Sequence, residues 1–360
     1  MLERYALEKY APRIINSNIK TRRLGYIIAL VKIIGNNFLF TDDALRRLES
    51  WAEAHQKEVE EYSGKSGLIT ASPKHYPAKR YFHLAKDLRL IKVSRSECAV
   101  TKIGQPILYL AESLRNPFDL TNEQICYLLK RILENDSDCF LQLLRSLEKY
   151  NEIKNIFTQF KKTLLDHLEK KIEKLGDILK SSEIKRRRDK IIRWTEERKY
   201  LEHIIYPRLD WMTDLKILNI SKRKEGIYEF TEEGKSFLSF LNEMEKANLE
   251  NFDAWLENRY YEIFGQCFIK KEKNLLTTLN SEEHVKLISD LLEDAFRKFS
   301  SPNLPLSHMS AITFLEYSCT KLVVMGIIPS FNQLKDLLKR MAGYRFQWQP
   351  SMEDGFIIKI

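Results

Sequence analysis

Cations, rather than nucleophiles or metal ligands, are the residues of this chain whose types and spacing point to chemistry. Lys74, Lys79, Arg80, His83, Lys86 and Arg95 fall in one stretch, with Lys92 among them. Lys185, Arg186, Arg187, Arg188, Lys190 and Arg193 form a denser second run, and Lys222, Arg223 and Lys224 crown a turn further on. Ammonium and guanidinium groups pair with phosphate oxygens, and arginine also reads guanine edges in the major groove. Over the whole chain, 59 Lys and Arg stand against 50 Asp and Glu, a net charge of +9. That balance suits a polyanion partner without requiring one. Trp194, next to Arg193, is the ring best placed to stack on an unpaired base.

Catalytic arrangements fail in turn. Gly64-Lys65-Ser66 ends like a phosphate-binding loop, but the upstream glycine position holds Val59 and a helix precedes it, so a flexible linker is expected. His55, His75, His83, His167, His203, His284 and His308 lack metal-ligand spacing, and His167 and His203 read as surface residues. The five cysteines, Cys98, Cys126, Cys139, Cys267 and Cys319, form no C-x-x-C and read as small apolar residues of a reducing compartment. Glu353, Asp354 and Lys359 lie by a hairpin, as in metal-dependent nucleases, but both carboxylates fall in the turn. No G-x-S-x-G elbow occurs. No intrinsic catalysis, cofactor, metal or small-molecule substrate is expected.

The elements that must position the cations are mostly helices. A chain of 360 residues with 44% hydrophobic residues, 12 Gly and 10 Pro reads as two or three mainly helical domains. Helices are expected over 2–18 and 24–35, from Thr41-Asp42-Asp43 to about Val59, over 77–90, and from Lys102 to about Ser113. Two more span Thr121 to Leu147, broken near Asn135-Asp136-Ser137-Asp138. Over 152–179, Ile153, Ile156, Phe160, Leu164, Leu168, Ile172, Leu175 and Leu179 make an apolar stripe fit for a bundle or a partner. Pro207 is expected to open a helix over 208–218, Thr231 to cap the next, and others to cover 248–264 and 281–299. Ser330 and Gln333 form a capping box for a helix ending near Ala342. Tyr344, Phe346 and Trp348 alternate with polar residues, as do Phe356, Ile358 and Ile360, so a half-buried hairpin closes the chain.

One pattern occurs twice. Residues 87–104 read DLRLIKVSRSECAVTKIG and residues 214–234 read DLKILNISKRKEGIYEFTEEG. Each is an amphipathic helix end, a β run, a polar turn, a second β run and Thr-x-x-Gly opening a helix. The pattern resembles the C-terminal half of winged-helix (winged helix-turn-helix) domains of the MarR, PadR and ArsR type. That resemblance implies a helix lying in a DNA groove and a hairpin wing touching backbone. It implies nothing for the rest of the chain, and in the second copy Asp210 and Asp214 would repel phosphate. The C-terminal helix and hairpin mark a candidate third unit.

The fold expected is therefore mainly α with small β hairpins, as tandem winged-helix domains joined by helical segments. The units are a winged domain over 1–118, a helical linker or bundle over 119–182, a second winged domain over 183–246, a helical region over 247–305 and a helix–hairpin over 306–360. The expected function is a non-catalytic double-stranded DNA-binding subunit of a prokaryotic DNA-processing or defence system, phage defence included. Protein partners or self-association are expected alongside DNA. The alternatives are an assembly subunit whose wings bind an ATPase or nuclease, and a transcriptional regulator. No apolar signal region opens the chain and Tyr26–Ile34 is too short to span a bilayer, so a cytoplasmic protein with no membrane partner is expected.

Overall fold

The computed structural model describes residues 10–64, 67–72, 74–246, 252–276, 281–300 and 307–360. Fourteen α-helices carry these residues, with a few short strands between them. The first unit runs α1 (Gly25–Ile34), β1 (Leu39–Phe40), α2 (Thr41–Ala54), α3 (Gln56–Ser63), α4 (Tyr76–Asp87), β2 (Ile91–Ser94) and β3 (Glu97–Val100). Its strands form an antiparallel sheet in the order β1-β3-β2, so the strand after α1 pairs with the last one. The helix expected to reach Val59 breaks at His55. Past the sheet, the helix expected over 102–113 is only a short 3-10 turn, Gln105–Tyr109. Gly64 apart, the phosphate-loop-like Gly64-Lys65-Ser66 lies outside the described residues, as do residues 1–9 of the first expected helix; residues 10–18 carry no helix.

The same path recurs. After α5 (Asn122–Lys149) comes α6 (Ile153–Leu175), then α7 (Ile178–Ile192), α8 (Glu197–Asp214) and α9 (Glu232–Lys246). The second hairpin expected over 218–230 is reduced to one antiparallel bridge, Leu218 with Phe230, its tip is a 3-10 turn at Lys222–Glu225, and a second antiparallel bridge joins Ile227 to Glu152. Glu152 immediately precedes α6, as β1 precedes α2, so this unit draws its first strand from well before residue 183. After α10 (Phe252–Asn258), α11 (Tyr260–Phe268) and β4 (Asn274–Leu275), the path appears a third time. It runs α12 (Ser281–Phe299), β5 (His308–Ser310), α13 (Ala311–Met325), β6 (Ile327–Ile328), α14 (Phe331–Leu338), β7 (Tyr344–Gln349) and β8 (Asp354–Lys359), with sheet order β5-β8-β7. The capping box of Ser330 and Gln333 forms as expected, and Tyr344, Phe346 and Trp348 alternate half-buried along β7.

The sequence repeat is also an atomic repeat. Arg89 and Lys216 both take left-handed φ, 62° and 58°, just past the ends of α4 and α8. Leu90 N–H then reaches back to the Ala85 carbonyl and Ile217 N–H to that of Met212, which satisfies carbonyls the helix end leaves open. Thr101 Oγ1 donates to the Arg89 carbonyl and accepts from Gly104 N–H; Thr231 Oγ1 does the same with Lys216 and Gly234. A Cβ on Gly104 or Gly234 would collide with the carbonyl of Leu90 or Ile217. The Thr-x-x-Gly signature is the lock that turns the chain back across its helix.

Residues 10–24 hold the units together without secondary structure of their own. Several of their backbone groups are satisfied by side chains from other elements, as buried polar groups require. Arg13 N–H donates to Asp138, Ile15 N–H to Asp136 and Leu24 N–H to Asp214, while Trp211 Nε1 donates to the Thr21 carbonyl at 2.8 Å. Pro207 lies inside α8 rather than at its start. A proline cannot bond the carbonyl four residues back; here that carbonyl, on His203, accepts the Ser17 hydroxyl at 2.6 Å. Asp136 and Asp138 do not break α5 either. They point inward from one continuous helix, Asp136 to Arg208 and Asp138 to His167 and Lys171. Burial alone would raise Asp138, but Lys171 and His167 hold its carboxyl well below the usual range. His167 and His203, expected at the surface, are half-buried partners of Gln142 and Asn18. The stripe residues Ile156, Phe160, Leu164 and Leu168 are buried against the chain itself, not offered to a partner.

Two consequences can be measured. Gly104→Ala and Gly234→Ala should each lower stability by about 1–3 kcal/mol in denaturant unfolding, because equivalent carbonyls must move; a neutral result at either would break the equivalence of the copies. Arg208→Met should cost about 3–5 kcal/mol, since it leaves the Asp136 carboxylate buried without its cation.

Candidate nucleic-acid interface

The first unit builds a groove from three elements. The start of α2 supplies Thr41, Asp42, Asp43 and Arg46, α4 supplies Lys79, Phe82, His83 and Lys86, and the β2–β3 turn supplies Val93, Arg95 and Ser96, with Phe40 at the edge. The groove encloses about 510 Å³. On α4, Phe82, Ala85 and Leu88 face the core and leave Lys79, His83 and Lys86 outward, spaced at three and four residues along one side. Arg95 stands exposed in the tight β2–β3 turn, with φ 54°. Lys79, Lys86 and Arg95 make no ion pair among the described residues.

The surroundings tune these groups. His83 is pulled below the ordinary histidine value by partial burial first and then by the charges of Arg80, Lys79 and Lys86. Burial pushes the neighbouring Asp87 carboxyl up. Arg80 is stacked over the Tyr76 ring at 4.5 Å and donates to its hydroxyl at 2.7 Å, and Lys74 is exposed before α4. His75, with φ 49° at the helix N-cap, places Nδ1 2.6 Å from the Glu49 carboxylate and so fixes the entry of α4. The acidic residues are not neutral bystanders: Asp43 pairs with Arg46 within the groove wall.

The second copy treats its cations differently. The C-terminal half of α8 is buried, so the helix equivalent to α4 has no face for a groove. Asp210 and Asp214 do not confront solvent; Asp210 binds Arg22, Arg23 and Arg223, and Asp214 binds Arg23 at 2.6 Å. Burial raises Asp214 to about 6 against the pull of Arg23 and the Leu24 amide. Arg223, expected at the crown of the wing, is thereby spent inside. Arg188 holds Glu169 and Asp189, Arg187 donates to Asn16, and Lys222 lies 3.8 Å from Glu229. Arg186, 81% exposed, reaches Glu183 at 3.4 Å, and Lys190, Arg193 and Lys224 are exposed while Lys185 is half-buried. Trp194 is stacked on Tyr200 at 5.3 Å, so its face is partly occupied.

Near the C-terminus, Asp354 is a joint and not a metal ligand pair with Glu353. It accepts from Lys102, from Ser310 and from the Ile312 amide, tying the third unit to the Thr-x-x-Gly corner of the first. Lys359 holds Glu293. Among the described residues no three His, Cys, Asp or Glu side chains are placed to hold a metal ion, and no helix is long and apolar enough to cross a membrane. The five cysteines are buried and unpaired. No local pattern in the sequence marks Arg46 and Phe40, because only the fold brings the start of α2 opposite α4.

The groove carries its own pH test. A polyanion bound there would offset Arg80, Lys79 and Lys86, so His83 would have a higher pKa in the complex than in the free protein and binding would take up a proton. Affinity for a polyanion should therefore rise as pH falls from about 7 to about 6, and His83→Gln should flatten that slope in fluorescence anisotropy at fixed ionic strength. Equal slopes for both proteins would remove His83 from the interface. Comparison of the chain with protein-family models, with curated proteins and with solved structures returns no match.

Proposed function

We propose that this chain is a non-catalytic DNA-binding protein whose first unit is a winged-helix-type module gripping double-stranded DNA through its phosphates. One observation carries the reading: Lys79, His83, Lys86 and Arg95 share a single groove between α4 and the β2–β3 turn, and the two lysines and Arg95 have no ion-pair partner among the described residues. The helix–strand–helix–helix–hairpin path and its sheet order support the winged reading for the first and third units. The second unit then serves as the internal scaffold, because its equivalent helix is covered and Arg187, Arg188 and Arg223 are engaged within the chain.

An assembly role is favoured by a separate surface. Ile178 and Leu179 stand exposed at the start of α7, at the tip of the α6–α7 hairpin. A protein partner held there is compatible with DNA held by the first unit.

The test is anisotropy of the full chain with unrelated duplex sequences over a salt series. Affinity should fall steeply with salt, and the K79A/K86A/R95A variant should weaken binding on every sequence alike. Its salt slope should shrink by roughly one for each phosphate that no longer meets a cation. Duplex binding that survives unchanged in this variant, or no binding at low salt, would overturn the proposal.

A further inference from the structure

The outer face of the first sheet carries two large rings that the fold does not use. Phe38 is 68% exposed and Phe40 57%, while Leu39 between them packs on the core. The out–in–out order is that of an extended segment, whose side chains alternate faces, so both rings stand on one side of the sheet. Register extends that side across the strands. Phe40 pairs with Glu97 and Glu97 with Ser94; Ala99 pairs with Lys92, whose Nζ lies 6.0 Å from the Phe38 ring. β1 is an edge strand, so nothing in the sheet lies beyond the rings.

A duplex gripped by phosphate contacts has no use for such rings, since its base faces are stacked and closed. A strand with unpaired bases offers faces that stack on aromatic rings with little regard to sequence, and phosphates for a flanking lysine. The exposed Glu97 carboxylate lies at the Phe40 end, so the backbone is better received at the Phe38 end, beside Lys92. Phe40 also belongs to the edge of the cationic groove, which makes the ring face and the groove continuous.

We infer that Phe38 and Phe40, with Lys92, form a stacking platform for single-stranded DNA leaving a duplex held in the adjacent groove, so that the first unit prefers a duplex–single-strand junction. The inference rests on the DNA-binding reading but demands more of it. The test uses the full chain with two labelled probes of one sequence, a blunt duplex and the same duplex with a single-stranded arm carrying 2-aminopurine. The armed probe should bind about tenfold tighter, as one or two stacked bases would give. Its 2-aminopurine fluorescence should be quenched on binding. F38S should weaken both the preference and the quenching, while its blunt-duplex affinity, salt slope and melting temperature stay as in the unaltered chain, because Phe38 is exposed and lies outside the groove lining. Equal binding of the two probes, or a preference undiminished in F38S, overturns the platform and leaves duplex binding standing. Failure to bind either probe at low salt overturns both readings. A drop in blunt-duplex affinity equal to the drop on the armed probe would overturn the platform and assign the rings to general duplex or protein contact instead.

Discussion

The buried ion pairs that tie residues 13–24, α5 and the Lys222–Glu225 turn to α8 set the terms for the rest of the molecule. Asp136, Asp210 and Asp214 are fully removed from water, and each such carboxylate is tolerable only with cations and donors in place. Arg22, Arg23, Arg208 and Arg223 supply the cations, and the amides of Ile15 and Leu24 supply donors. The irregular N-terminal arm therefore belongs to the interior of the second unit, although it precedes the first in sequence. Its place between them also joins the two: the amides of Arg22 and Arg23 both donate to the Tyr81 hydroxyl on α4.

That clasp separates two topologically similar units by what their surfaces have left. In the second, the helix that would face a groove is lined by the arm, and several of the cations around it hold carboxylates of the same chain. In the first, α4 is anchored through Tyr81, Phe82, Ala85 and Leu88, and its basic side stays in solvent. A net charge of +9 does not distinguish these cases. Ion pairing does, because a guanidinium already bonded inside must abandon a buried carboxylate before it can meet a phosphate. The third unit docks on the first through Asp354 and Lys102, with Thr313 donating to the Lys102 carbonyl.

What was legible in the sequence follows from what each residue serves. The repeated Asp-Leu-x-x-aliphatic and Thr-x-x-Gly marks act on nearby backbone, through a left-handed residue, a capping hydroxyl and a missing Cβ, so their geometry survives in the letters. The C-terminal hairpin was readable in β7, whose alternation is a local property of a strand; in β8 the residue facing Phe346 and fully buried is Ile357 rather than the expected Phe356, Ile358 and Ile360, and Ile360 is exposed. Long-range roles left no such trace. Asp136 and Asp138 look like loop residues until Arg208, Lys171 and the arm amides are brought to them. Pro207 looks like a helix start until Ser17 takes up the carbonyl it frees. The strand partner of Ile227 is Glu152, and no local pattern ties those two together. The groove was half legible, since α4 and the β2–β3 turn are close in sequence, whereas Arg46 and Phe40 join only through the fold.

The central claim is that α4 and the β2–β3 turn meet DNA while α8 and the Lys222–Glu225 turn do not. Hydrogen–deuterium exchange with and without a saturating duplex tests it most directly. The account predicts slowed exchange over 76–87 and 91–100 on addition of DNA, with the amides of 197–214 and 219–226 unchanged. Protection confined to 178–193 and 219–226, with none on α4, would contradict it.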